Sequence, residues 1–414
     1  MKDIFHSVKL IEENCRGCTK CMIKCPVEAV RVKNSRALIY AERCIDCGEC
    51  IRVCPYNAHV AKRDSIEDIK RYKIKAAIPS VAIYSQFGGF INPNIVNEGI
   101  LSLGFDEVFD ITYACDIVSE IVKKEIVDTS KPAISSFCPA IVRLIQTSYP
   151  GIIDNVVRVV TPIEVSASLI RDKYLRLGYK NEDIGIFYLT PCVARITRSR
   201  PMCFEGNHEL NGIIAISDIY PGLLKYIGKI GDRKSYKEST MSFTGLSWAI
   251  KGGQSRSMGI KEYLAVDGVE NVIKLLEEIE RGKFLDALFI EAFACTEGCL
   301  GGLLLVENPF NARRVISKYC SMLNYSYMGE EIIKDYREQF LADYSIIRTS
   351  NQKFSEDFHE AVNKMKYMNY ILNMLPGIDC GQCGSPSCRA FAEDVARGLS
   401  TIEECKMIKP EGSI

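Results

Sequence analysis

Nineteen cysteines in 414 residues are the side chains best suited to chemistry here, and sixteen of them fall into four groups. Cys15, Cys18, Cys21 and Cys25 repeat as Cys44, Cys47, Cys50 and Cys54; each run reads C-x2-C-x2-C-x3-C and closes on a proline, Pro26 or Pro55. Cys138, Cys192, Cys295 and Cys299 form a dispersed group, and three of the segments that hold them read as apolar strand, cysteine, then turn. Cys380, Cys383, Cys388 and Cys405 complete the set with spacing C-x2-C-x4-C-x16-C and Gly381, Gly384 and Pro386 between them. Soft thiolates suit iron-sulfur clusters, and a chain with four histidines offers no histidine-rich metal site. Zinc is the alternative for the repeated runs and the last group, but zinc knuckles seldom use a third cysteine at the second x2 spacing or a closing proline. Cys115, Cys203 and Cys320 are left over and read as buried free thiols.

The elements that must position these groups follow from the pattern between them. Residues 76 to 350 alternate strand and helix signals, the mark of an α/β region with substantially parallel sheet. Apolar stretches at 133–136, 184–189 and 287–290 run into Cys138, Cys192 and Cys295. Open α/β sheets bind ligands beyond the carboxyl ends of their strands, so three such loops are expected to converge. Pro139 suits the first position of a helix, which puts Cys138 at its N-cap, where the dipole favours a thiolate. Val269, Val272, Ile273, Leu276 and Ile279 mark an apolar helix face that Gly282 ends. Gly301 and Gly302, just after Cys299, remove side chains where backbone must pass close to a bulky cofactor. A charged stretch at 63–75 reads as a linker, giving domains at 1–62, 76–355 and 356–414.

Composition narrows the partners. Hydrophobic residues make up 47% and charged residues 25%, ordinary for a globular protein. Acidic and basic residues balance at 52 each, which gives no electrostatic reason to bind nucleic acid or an anionic membrane. The first residues lack a secretory signal and no apolar run is long enough to span a bilayer, so a cytoplasmic location is expected. A reducing cytosol also disfavours disulfides as the use of so many cysteines.

The repeated runs resemble a two-cluster bacterial ferredoxin, in which the fourth cysteine of each run ligates the other cluster. That resemblance implies one 4Fe-4S cluster on Cys15, Cys18, Cys21 and Cys54 and a second on Cys44, Cys47, Cys50 and Cys25. The last group resembles the small four-iron module of several redox enzymes and implies a third 4Fe-4S cluster. The segments around Cys138, Cys192 and Cys295 to Gly302 resemble the FeFe-hydrogenases, over nearly the whole chain. The fold implied is α/β: an H-cluster domain with an N-terminal α+β ferredoxin-like domain and a small C-terminal 4Fe-4S domain. The cofactor implied is an H-cluster, a 4Fe-4S cubane on Cys138, Cys192, Cys295 and Cys299, with Cys299 bridging to a diiron unit carrying CO, cyanide and azadithiolate. The partners implied are H2 and protons, a ferredoxin or another redox or signalling protein, and maturation enzymes for the diiron unit.

Several positions depart from that family's pattern. The residue before the first cubane cysteine, there a proton-passing cysteine, is Phe137. In the second block Thr190, Arg195 and Arg198 replace methionine, lysine and glutamate, and Phe293 replaces a methionine in the third. Arg195 retains the means to donate hydrogen bonds to a cyanide ligand, although its planar fork is not an ammonium. With Cys299, Arg195 and Phe137 as the functional residues, the expectation is reversible H2 activation at low turnover, similar to the sensory branch of the family. Two alternatives stand beside it. One is an ordinary hydrogenase with another relay through Glu291, Glu297, Ser136, Tyr188 or Cys115; the other is a non-hydrogenase electron carrier or assembly factor. Gly252 and Gly253 match a phosphate loop poorly and read as a loop near the active site.

Overall fold

The computed structural model describes residues 6–126, 132–198, 210–230, 241–322, 340, 354–355 and 357–408. The chain divides into two compact units, Met1–Ala61 with Arg348–Ile414, and Lys62–Ile347.

The first unit joins the two ends of the sequence. β1 (Val8–Leu10) pairs antiparallel with β4 (His59–Ala61), and β2 (Val30–Lys33) with β3 (Arg36–Ile39). The β2–β3 turn places Asn34 and Ser35 at φ 49° and 58°, the pair of positive values that a tight hairpin with the native twist demands. Short helices Lys20–Ile23 and Glu49–Arg52 each start from a left-handed residue, Thr19 or Gly48. The cysteine repeat is thus a backbone repeat: left-handed residues recur at 17 and 46, 19 and 48, and 28 and 57. Helix Phe358–Met374 packs through Met368 and Ile371 on Phe391 and Val395 of helix Cys388–Ala396, with Cys383, Cys388 and Cys405 against the same apolar cluster.

The second unit carries two parallel sheets. One has the order β6-β5-β8-β9, from β5 (Ile74–Pro79), β6 (Glu107–Val108), β8 (Ile184–Thr190) and β9 (Gly212–Ala215). The other has the order β10-β11-β7, from β7 (Ala133–Ile134), β10 (Tyr263–Asp267) and β11 (Phe289–Phe293). Every pair in these two sheets is parallel. All residues of β8 and β11 are buried, as expected of parallel strands covered on both faces. Each fully buried Ile or Phe of this kind stabilises the fold by about 1.5–3 kcal/mol. The 63–75 stretch is folded onto this unit: Asp64 N–H donates to the Ile213 carbonyl at 3.1 Å, and Arg63 grips the Asp218 carboxylate with two bonds of 2.6 Å.

Candidate functional site

The three strands that run into cysteines lie in the two parallel sheets, and their carboxyl ends carry the site. β7 leads through Ser135 to Phe137 into Cys138, which occupies the N-cap of helix Pro139–Ser148 with Pro139 in the first turn. Its carbonyl starts the helix by accepting from Ile141 and Val142 N–H at 3.1 and 3.0 Å. β8 ends at Thr190, whose Oγ1 accepts from Cys192 N–H at 3.0 Å and so fixes the turn before helix Val193–Arg198. β11 ends at Phe293, buried in the strand, and the next loop carries Cys295 and Cys299.

Glycines hold these loops together, for a reason that differs from the expectation. A Cβ on Gly302 would lie 2.3 Å from the Pro191 carbonyl oxygen, and one on Gly301 would lie 2.0 Å from that of Thr296. The backbone therefore passes close to other backbone: the Cys299 loop is pressed on the Cys192 loop, and Leu304 N–H seals it to the Pro191 carbonyl at 3.0 Å. Cys299 N–H in turn donates to the Ala249 carbonyl at 3.0 Å, which gives the Gly252–Gly253 segment its place beside the site.

Electrostatics shows which thiols share a neighbourhood. Burial pushes the Cys192 thiol up to about 11, with the Cys138 thiol adding to the rise and Arg195 opposing it. Burial also raises Cys299, reinforced by Cys192 and Cys138 and again eased by Arg195. Three thiols are thus within reach of one another and of one cation; Cys295 stands at the start of the same loop as Cys299, its carbonyl accepting from Gly298 N–H at 3.1 Å. Buried thiols that repel one another are a donor set for a cationic metal, since iron supplies the missing positive charge and takes the sulfurs as thiolates. The residues present therefore fit an iron-sulfur group.

Arg195 is buried and fixed. Its Nη2 donates to the Phe137 carbonyl at 2.5 Å and its guanidinium lies 5.2 Å from the Phe137 ring centroid. The same ring meets Trp248 edge-on at 5.2 Å. Phe137 forms part of the wall of a cavity of about 320 Å³, open mouth included, with Val122, Val157, Trp248, Gln254 and Thr161. Among the described residues no titratable side chain lines it. Arg198 closes its helix, and its side chain lies outside the described residues.

The relay candidates separate. Glu291 is fully buried and accepts from Gly252 N–H at 3.1 Å and from Ser255 N–H and Oγ at 2.6 Å each, so it pins a turn. Glu297 accepts from Arg313, and its own N–H is tied to Asp267 at 2.7 Å. Tyr188 is raised by burial, opposed by Arg195 and by a hydrogen bond with Ser80, with Cys299 and Cys192 adding to the rise. Ser136 lies on the cavity wall. Cys115 is also in electrostatic reach of Cys299; burial raises its thiol, followed by Asp116, Asp110 and then Cys299. Beside it stands a residue that sequence reasoning missed. Asp116 is pushed up to about 7 by burial, against hydrogen bonds from Ser242 and Thr244. Its only sequence signal is a carboxylate amid the apolar positions of helix Ile111–Glu125. Of the leftover thiols, Cys320 is raised to about 11, mainly by burial, and Cys203 lies outside the described residues.

In the first unit the thiols are held by backbone. Ala29 and Ala58 N–H donate to Cys25 and Cys54 Sγ at 3.2 Å each, and Ala37 and Asp46 N–H to Cys15 and Cys44 Sγ at 3.4 Å each. Burial raises Cys47 to about 12, with Cys25 among its neighbours, and raises Cys50 with Cys47, Cys25 and Cys21 adding. Cys25 of the first run therefore lies with the second run. Cys21, raised to about 11 by burial, has Cys18 and Cys15 beside it.

The family model of the iron-only hydrogenase large subunit, C-terminal domain, matches residues 73–214 and 227–302, more than half of the chain. The protein belongs to that family. A 4Fe-4S dicluster domain matches residues 7–55, and a domain described as a putative Fe-S cluster matches 375–407, so iron-sulfur cofactors belong to this hydrogenase-like chain. Among solved structures, the FeFe-hydrogenase HydA(deltaEFG) is 16% identical with a TM-score of 0.50, over 66% of this chain and 91% of that one. A glutamine variant of HydA1 from Chlamydomonas reinhardtii gives 16% and 0.51 over the same shares. At this identity the likeness establishes the mixed α/β fold. A curated relative, a component of the ion-translocating oxidoreductase complex of Thiobacillus denitrificans, is 46% identical over 39 residues. The match spans 9% of this chain and 21% of that relative's length.

Proposed function

We propose that this protein activates H2 reversibly at an H-cluster with low turnover, and that it serves hydrogen or redox sensing. Cys138, Cys192, Cys295 and Cys299 would hold the cubane, and Cys299 the diiron unit, which supplies the heterolytic splitting of H2 when bound. Three accessory 4Fe-4S clusters would sit on Cys15, Cys18, Cys21 and Cys54, on Cys44, Cys47, Cys50 and Cys25, and on Cys380, Cys383, Cys388 and Cys405. The partners are a ferredoxin or a signalling protein and the maturation enzymes of the diiron unit, in the cytoplasm. Among the described residues no helix is long and apolar enough to cross a membrane.

The observation that carries the low turnover is Phe137. It stands directly before Cys138, in contact with Arg195 and Trp248, on the wall of a cavity whose described residues include no titratable side chain. A phenyl ring neither accepts nor donates a proton, and loss of a placed acid or base slows a reaction by roughly 10²–10⁴. Arg195 would hold its cationic fork toward the thiolates while its own carbonyl contact keeps it from turning away.

Infrared spectra of the anaerobically matured protein, before and after H2, test this reading. Reversible shifts of the CO and cyanide bands with weak turnover are expected. Failure to take up any such bands would favour the electron-carrier or assembly reading. Turnover at ordinary hydrogenase rates would favour another relay, with Cys115, in electrostatic reach of Cys299, as a candidate.

A further inference from the structure

Within the first unit, residues 354–408 are fastened to the ferredoxin-like half by charges that all run in one direction. Arg31 and Lys33 of β2 and Arg43 pair with Asp394, Glu404 and Glu393. Arg31 is fully buried, its guanidinium over the Tyr40 ring at 4.9 Å, and Ser385 Oγ donates to Asp394 at 3.0 Å. Between the two β2 cations, Val32 N–H donates to the Gly384 carbonyl at 2.8 Å. Gly384, at φ +79°, admits no side chain, because a Cβ would lie 1.9 Å from the Val32 carbonyl oxygen. The loop between Cys383 and Cys388 is thus laid on β2 with no room for a side chain between them.

Lys33 is placed differently from the other two cations. Its ammonium donates to Ser400 Oγ at 2.6 Å and lies 3.5 Å from the Cys383 carbonyl, within electrostatic reach of the Cys383 thiol. Arg31 and Arg43 clamp helix Cys388–Ala396, whereas Lys33 faces the ligand loop itself.

We propose that Lys33 sets the reduction potential of the iron-sulfur cluster held by Cys380, Cys383, Cys388 and Cys405, which makes β2 part of that cluster's site. Reduction of a 4Fe-4S centre from the 2+ to the 1+ state adds one electron and no proton, so the new negative charge meets a fixed ammonium and the reduced form is favoured. Glu404 opposes this, and the pair is partly exposed, so solvent screens both charges. The inference rests on the accessory-cluster part of the proposed function and not on hydrogen chemistry.

The test uses the full chain reconstituted with iron and sulfide alone, titrated with dithionite and followed by electron paramagnetic resonance. In Lys33→Met one of the four 4Fe-4S centres should move to lower potential while the other three stay; in Glu404→Gln the same centre should move to higher potential. Lys33→Arg should restore the parent value. Opposite shifts in one centre are what a charge effect produces; a merely structural clamp would lower iron retention without them. Unchanged potentials in both variants, or equal shifts in all four centres, would overturn the proposal. Because no diiron unit is loaded, this outcome is independent of the infrared response to H2.

Discussion

In the N-terminal half the ligand thiols come from runs at 15–25 and 44–54 and are steadied by backbone N–H donors, whereas in the central unit they come from loops far apart in sequence. There they share one side-chain cation, Arg195. A cage made of backbone tolerates changes of side chain around it, because its donors belong to every residue. A site held by loop-on-loop contact and one guanidinium concentrates its dependence on few positions. The central site should therefore fail through single substitutions that leave the ferredoxin-like half intact.

The largest effect is expected at Gly302. Gly302→Ala would force a methyl group into the Pro191 carbonyl, at a cost of about 3 kcal/mol, the upper range for overpacking. Iron analysis should then find the accessory clusters retained and the central site empty. Next comes Phe137→Cys, which restores a proton-passing thiol: hydrogen turnover should rise roughly tenfold to a hundredfold, short of the full contribution of a relay because no other described residue on the cavity wall titrates.

A pH series on Asp116 comes third. Its folded pKa of about 7 lies above the ordinary carboxylate value of 3.8, so the folded state binds the proton more tightly. Stability from this group is full below about pH 4 and is lost as pH rises toward 7, by up to about 4 kcal/mol. Asp116→Asn should match the parent at pH 4 and melt higher at pH 8. The smallest effect compares the two halves of the repeat: Glu28 and Asn57 both sit at φ 49°. Glu28→Gly should stabilise by about 0.5 kcal/mol in denaturant titrations, and Asn57→Gly should be close to neutral, since asparagine tolerates the left-handed region.

The contrast also explains what could be read from the sequence. The repeat is legible because its spacing and its left-handed positions are local, and the strands into Cys138, Cys192 and Cys295 are legible because parallel strands are continuous apolar runs. The docking of residues 354–408 on β2 was not, since the Arg31–Asp394 pair joins positions 363 apart and each partner alone looks like a surface charge. The partners of Glu291 were hidden for a related reason: a glutamate near the cysteines suggests a relay, and only the packed turn shows that its carboxylate accepts from Gly252 and Ser255.

The seal between Gly302 and Pro191 bears on how the central unit matures. Main chain bonded to main chain, through Leu304 N–H as well as by contact, does not wait for metal to take shape. Such a rim is a socket, ordered before loading, so its amide protons should exchange with deuterium as slowly in metal-free protein as in the finished one.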